Sequence, residues 1–297
     1  MSRQEQKVVL IGAGRVGSTL AVHLREKGYT ICAVISRSRA SASACAEKVQ
    51  CPLAATDIQE LPSAASIILI TTPDDAIPSV VQSLVKLDPT LLKDRLVAHT
   101  SGALSSSILA PLKKEGALVA SIHPVQTFPP VGNRIAHLTG VYFGIEGNDQ
   151  AIKKARKLVE DLGGIPIVLP EEVKGLYHLA CTMASNYLVT LIGASLTILR
   201  SLNLSEKEAF CLLKPLLEGT LKNIENSGVS KALTGPIARG DVETVRLHLT
   251  LLEEKYPDLL PLYLSLGTKA MEISLAQGKI ELNQIQKLIE LWSQKIS

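Results

Sequence analysis

The chain has 297 residues, 46% apolar and 20% charged, enough to bury one large core or two ordinary ones. Aromatics make up only 3%, so Ala, Leu, Ile and Val must fill the interior. A net charge of +3 with no basic run argues against a nucleic-acid partner, and five cysteines lacking both a C-x-x-C pair and zinc spacing argue for reduced thiols and no metal site.

The opening "MSRQEQKVVLIG" has no apolar run ending in a small-residue cleavage site, so it does not read as a signal peptide and the expected compartment is the cytoplasm. From Lys7 to about Pro170, short β-branched runs alternate with helical patterns. The strand candidates are 7–11, 29–35, 66–71, 95–99, 117–122, 140–145 and 165–169, with helices such as 15–27, 38–49 and 148–162 between them. Nearly continuous apolar strands are those buried on both faces. The alternation predicts an α/β Rossmann-type doubly wound sheet, parallel at least through its first strands.

The first strand runs into "VVLIGAGRVGSTLAVHL". Gly12, Gly14 and Gly17 form G-x-G-x-x-G between a strand and a helix. In that context Gly12 permits the tight turn, Gly14 lets backbone approach a pyrophosphate, and Gly17 lets helix and strand pack closely. Arg15 and Val16 open the helix, whose N–H groups face the phosphates. The other reading is a merely tight turn. NAD sites place Asp or Glu at the end of the second strand, yet "AVISRSRASA" carries none. Ser36, Arg37, Ser38 and Arg39 stand there, and an arginine fork suits a 2′-phosphate, so the expected cofactor is NADP(H). The plainer alternative is a pair of surface arginines.

Later strand ends should line the same crevice. "ITTPDDAI" places Thr71, Thr72 and Pro73 there, though Thr72-Pro73 is also an ordinary helix entry. "VAHTSGALS" offers Ser101 and Gly102, with His99 either in the site or a satisfied strand-end histidine, and "ASIHPVQTFPP" offers His123 and Gln126.

Past Pro170 the strand runs vanish. Helical segments are expected near 171–201, 205–227, 241–254, 258–277 and 282–296, with Pro215 kinking or dividing the second. The expected domains are therefore 1–170, binding the nucleotide, and an all-α 171–297, binding substrate and pairing subunits. Residues 179–199, "LACTMASNYLVTLIGASLTIL", carry no charge and are long enough to cross a bilayer. At 100° per residue, however, Lys174, His178, Cys181, Thr182 and Ser185 share one stripe bordered by Asn186. Such a stripe is costly in lipid. The expectation is a helix buried against protein, in a homodimer, with no membrane partner. Lys174 and His178 are candidate proton donors, Asn186 a group that could orient a substrate oxygen, and Arg239 of "GPIARGD" a partner for a substrate carboxylate or a domain contact.

Taken together, "LIGAGRVGSTLA", "TPDDAI", "HTSGALS", "HPVQTF", "KGLYHLACTMASNYLVTL" and "TGPIARGDVETVRLHL" resemble a bacterial family joining a Rossmann-like NADP-binding domain to a helical C-terminal domain of unknown function. More distantly the layout is similar to the 6-phosphogluconate-dehydrogenase-like superfamily, many members of which dimerise through the helical domain. The resemblance implies hydride transfer between a nicotinamide and a small carbonyl, imine or hydroxy-acid substrate. The β-hydroxyacid dehydrogenases of that superfamily carry Lys and, four residues later, Asn. Here Lys174 is followed by His178, and Asn comes at 186. A non-catalytic NADP(H)-binding sensor or scaffold is the alternative.

Overall fold

The computed structural model describes residues 6–129, 135–278 and 280–296. Two compact units divide at Tyr187/Leu188 rather than near Pro170. The physical reason is that Lys174, Tyr177 and His178 engage loops and strands of the first unit, as detailed below.

The first unit begins β1 (Lys7–Ile11), α1 (Arg15–Glu26), β2 (Thr30–Ile35), α2 (Arg39–Lys48), β3 (Ala54–Ala55), β4 (Ile67–Ile70) and α3 (Ile77–Val85). It continues with β5 (Leu96–His99), α4 (Ala110–Lys114), β6 (Leu118–Pro124), β7 (Tyr142–Gly147), α5 (Asp149–Asp161) and β8 (Ile165–Val168). The strands form one eight-stranded sheet in the order β3-β2-β1-β4-β5-β6-β7-β8. Pairing is parallel except between β6 and β7, where Ile122 faces Ile145 and His123 faces Gly144. Successive side chains of a strand point to opposite faces. Val8, Leu10, Ile67, Leu69 and Ala98 therefore pack under α1, α2 and α5. Val9, Ile11, Ile68, Ile70 and Val97 pack under α3 and α4. Both faces are covered, which is why these strands read as unbroken apolar runs. Sheet growth reverses direction between β1 and β4, and in such sheets a crevice opens at that point beyond the strand ends.

α6 (Lys174–Leu199) carries the chain across the division into the second unit, with α7 (Glu206–Ala232), α8 (Pro236–Arg239), α9 (Val242–Lys255), α10 (Leu260–Ala276) and α11 (Leu282–Ile296). The second unit's core gathers Val245, Leu249, Met271, Leu288 and Trp292, and the indole N–H donates to the Leu264 carbonyl at 3.1 Å. Two expectations are corrected. The helix does not break at Pro215. The departure from helical backbone falls at Gly228, φ 76°. A proline's φ suits a helix and its missing donor is tolerable, whereas φ above zero needs glycine. Nor is α6 buried within the chain. Leu176, Met183 and Val189 are 69%, 57% and 69% exposed. The segment Glu171–Leu202 is long and apolar enough to cross a membrane by length and composition.

Candidate active site

The turn after β1 is locked to the end of β4. Gly12 adopts φ 109°, and a Cβ there would lie 2.7 Å from the Thr71 carbonyl carbon. A Cβ on Gly17 would meet the Gly12 oxygen at 2.1 Å and Thr71 Oγ1 at 2.4 Å. The Thr71 hydroxyl donates to the Gly12 carbonyl at 2.6 Å, closing the contact. Gly14 is different: a Cβ there would meet nothing within 4 Å. It caps α1 without a side-chain hydrogen bond, leaving helix N–H groups to face outward with Arg15 and Val16.

A cavity of about 670 Å³ opens over this turn. Gly12, Gly14, Ser36, Arg37 and Ser38 line one side, and Thr71, Thr72 and Pro73 the other. Arg15, Val16 and Gly17 lie beside the cavity in α1, outside its lining. Sequence reading missed Ser41, Thr56 and Ser79, which also line it. Thr56 follows β3, a strand of two residues too short to leave a pattern. The Ser36 N–H donates to the Ala55 carbonyl, setting Thr56 beside the β2 end. The Thr72 hydroxyl is buried without a hydrogen-bond partner among the described residues. An orphaned donor, an open glycine and an arginine among hydroxyls fit a phosphorylated dinucleotide.

Beside the cavity lies a second cluster, reached through Asp74 next to Pro73. The Ser101 hydroxyl donates to Asp74 Oδ2 at 2.7 Å and accepts from the Leu104 N–H. The Ser101 carbonyl accepts from Ser121 Oγ at 3.2 Å and from Lys174 Nζ at 3.1 Å. Lys174 is 1% exposed, and burial pushes its ammonium down to about 8 against the pull of Glu146 and Asp74. Glu146 is itself buried, accepting from the Ser106 N–H and hydroxyl at 2.6 Å each. His99 is the satisfied strand-end histidine. Its Nε2 donates to the Ser105 carbonyl and its Nδ1 accepts from the Ser101 N–H, while burial pushes it down to about 4.

This fixed loop presents Gly102 to two imidazoles. A Cβ there would lie 2.3 Å from His178 Cδ2 and 2.8 Å from His123 Nε2. The rings meet edge to face, centroids 5.7 Å apart. His123 Nδ1 pairs with the Tyr177 hydroxyl at 2.8 Å. Burial, with Lys174 and His178 beside it, pushes His123 down to about 4. Tyr177, unnoticed in the sequence, completes the cluster. Burial raises its phenol, which therefore keeps its proton.

Thus Ser101, Gly102, His123, Lys174 and His178 come together, from the loop after β5, from β6 and from α6. Others do not join the cluster. The Gln126 amide is spent on the His137 carbonyl and the Thr127 N–H. Asn186 is exposed on α6. Arg239 is exposed at the end of α8, within the second unit. Among the described residues no three His, Cys, Asp or Glu side chains gather as a metal site.

Family models match the chain twice: a Rossmann-like domain over residues 1–124 and Domain of unknown function (DUF2520) over residues 141–270. None of the curated proteins searched matches. Among solved structures, a Thermotoga maritima protein is 29% identical, covers 91% of this chain and 99% of its own, and superposes with a TM-score of 0.70. A Bacteroides fragilis protein assigned as an NADP oxidoreductase is 24% identical over 91% of this chain and 100% of its own, TM-score 0.77. An imine reductase from Pseudomonas sp. is 19% identical over 93% of this chain and 99% of its own, TM-score 0.62. A reductive aminase from Aspergillus terreus, solved with NADPH, is 17% identical over 98% of this chain and 93% of its own, TM-score 0.62. At such identities the last three likenesses concern the fold.

Proposed function

We propose that this chain, which belongs to the proteins joining a Rossmann-like domain to DUF2520, is an NADP(H)-dependent oxidoreductase acting on a small carbonyl, imine or hydroxy-acid substrate. The observation that carries the reading is the crevice at the sheet's reversal point, where Arg37 stands among Ser36, Ser38, Ser41 and Thr56 in place of a carboxylate. The glycine turn and the start of α1 would hold the pyrophosphate, and Arg37 with its hydroxyl neighbours the 2′-phosphate. The similar structures of the Bacteroides fragilis NADP oxidoreductase and of the Aspergillus terreus reductive aminase with NADPH support that choice.

When bound, NADPH supplies a hydride to the substrate carbon. The chain's own residues must then deliver a proton to the substrate's oxygen or nitrogen, giving the alcohol or amine. His178, half-buried over Gly102, is our donor of choice, because a general acid must reach the reacting atom. Lys174 has its ammonium on the Ser101 carbonyl, and we assign it to holding that loop. The helical unit pairs with its copy through the uncovered apolar face of α6.

Titration of the purified protein tests the cofactor, with NADPH expected to bind more tightly than NADH. Equal affinities sink the assignment. Turnover is then sought with small ketones, 2-oxo acids and cyclic imines. NADPH binding without turnover on any of them moves the reading to a binding protein or sensor.

A further inference from the structure

Tyr177 reaches His123 by an unusual route. β7 runs antiparallel to β6 and sets Gly144 opposite His123. A Cβ on Gly144 would lie 2.8 Å from the Tyr177 hydroxyl, so the glycine is what admits the phenol behind the imidazole. The phenol oxygen lies against the Gly144 backbone. That oxygen has one proton to give. Two acceptors are beside it, His123 Nδ1 and the Cys181 sulfur, and an imidazole nitrogen is much the stronger.

We infer that Tyr177 is a positioning residue that holds His123 in its Nε2–H tautomer, which makes the site a receptor for a carbonyl oxygen rather than a cationic iminium. The substrate half of this inference rests on the oxidoreductase reading above. The tautomer half does not. With Nδ1 accepting from the phenol, the ring proton sits on Nε2, the nitrogen that faces Gly102 and has no hydrogen-bond partner among the described residues. A neutral imidazole is then a hydrogen-bond donor and not a base. Its low affinity for a second proton keeps it so at neutral pH.

Charge around the cluster points the same way. An iminium carries a positive charge and calls for a carboxylate. The nearby carboxylates are each taken up by loop hydroxyls or N–H groups, Asp74 by the Ser101 hydroxyl, Glu146 by the Ser106 N–H and hydroxyl, and Glu171 by the Ser105 hydroxyl. What faces the Gly102 loop is Lys174 and His178 from α6, and His123 from β6. A developing alkoxide gains from N–H donors and nearby positive charge. An iminium gains from neither. In ketone reduction the hydride forms the new C–H bond, the C=O π bond breaks toward oxygen, His123 Nε2–H steadies that oxygen without losing its proton, and His178 protonates it.

The test begins with the free, full-length protein labelled with ¹⁵N-histidine. Long-range ¹H–¹⁵N correlations, with His123 assigned by its loss in His123→Gln, report the tautomer directly. We expect Nε2–H between pH 6 and 8, and a mixture of tautomers in Tyr177→Phe. Nδ1–H in the unmodified protein, or an unchanged tautomer in Tyr177→Phe, overturns the inference. The kinetic arm uses cyclohexanone and the matching six-membered cyclic imine with NADPH. Ketone kcat/KM should exceed that of the imine by about 10²-fold or more, the scale of one such donor. Tyr177→Phe should cut ketone kcat at least tenfold with NADPH affinity unchanged. In a His123→Gln background, where the amide N–H has no tautomer to set, Tyr177→Phe should have no further effect. Faster imine than ketone turnover, or equal Tyr177→Phe losses in both backgrounds, overturns the inference. Failure to bind NADPH would remove the oxidoreductase reading and leave the NMR result to decide the tautomer.

Discussion

The two units bury their apolar residues to different degrees. In the first, strand residues such as Val8, Val9, Leu10 and Ile68 are fully buried, and helices cover both faces of the sheet. In the second, Val189, Leu216 and Leu221 remain 69%, 67% and 58% exposed, and the buried core is a smaller group around Trp292. In the first unit the inner strands are sealed, while β8 and the first turns of α6 stay open, with Ile167 45% and Leu176 69% exposed. The second carries apolar surface of the kind that marks an interface. The crevice is thus lined within one chain, and the exposed apolar face of the helices is what motivates the proposed pairing of subunits.

That contrast can be broken most severely at the uncovered face. Val189→Glu combined with Leu216→Glu should convert a dimer to a monomer, read by light scattering, with NADPH still bound. The unmodified protein should stay in the supernatant after membranes are pelleted without detergent. Recovery only with membranes, or a monomer before mutation, would dissolve the contrast.

Acid separates the units by a different route. His99 has a folded-state pKa near 4 against an ordinary 6.5. Between those values the unfolded chain binds more protons, so stability is held above pH 6.5 and lost as pH falls toward 4, by about 3 kcal/mol. His123 adds in the same direction. The chain's single tryptophan, Trp292, lies in the second unit and reports only on it. Far-UV dichroism should therefore begin to change at higher pH than Trp292 fluorescence. Coincident transitions would mean that the two units unfold as one.

At the crevice, Arg37→Ala should weaken NADPH roughly 10- to 150-fold, the equivalent of about 1.5–3 kcal/mol for a charge-assisted bond. NADH affinity should hold, as measured by nicotinamide fluorescence. The smallest effects come from two glycines. Gly17→Ala meets backbone at 2.1 Å and should cost roughly 1–3 kcal/mol in a urea titration. Gly193→Ala meets nothing within 4 Å in one chain and would there gain about 0.5–1 kcal/mol. Because Gly193 shares a helix face with Val189, we expect that gain to vanish in the dimer. Its full appearance would argue that nothing covers α6.

Much of the first unit was legible because its signals are local. Apolar runs of five to seven residues became β1, β2 and β4 to β8, and Gly12, Gly14, Arg37 and Thr72 came to one cavity from strand ends alone. What escaped depends on long-range pairing. Thr56 reaches the cavity through the two-residue β3, and Tyr177 reaches His123 only because β7 reverses direction. Lys174 and His178 share a helix face as their spacing implies, yet one is sealed on a carbonyl and the other stands over Gly102. Spacing places side chains on a face but does not say what each will meet there. Pro215 misled because exposed helix tolerates a lost hydrogen bond, whereas the expected end of that segment at 227 falls beside the positive φ of Gly228.

The bond from the Thr71 hydroxyl to the Gly12 carbonyl has a consequence in time rather than in space. With Gly12 N–H also held by the Ile35 carbonyl and Thr71 N–H by the Ile11 carbonyl, the turn is fixed by the chain's own bonds. Little chain entropy then remains to be lost on binding. Amide hydrogens at Gly12 and Thr71 should exchange slowly in the free protein and scarcely slow further when nucleotide is added. The added protection should fall on the first N–H groups of α1, next to the open Gly14, so that an exchange experiment would find the ligand by where the backbone changes and the lock by where it does not.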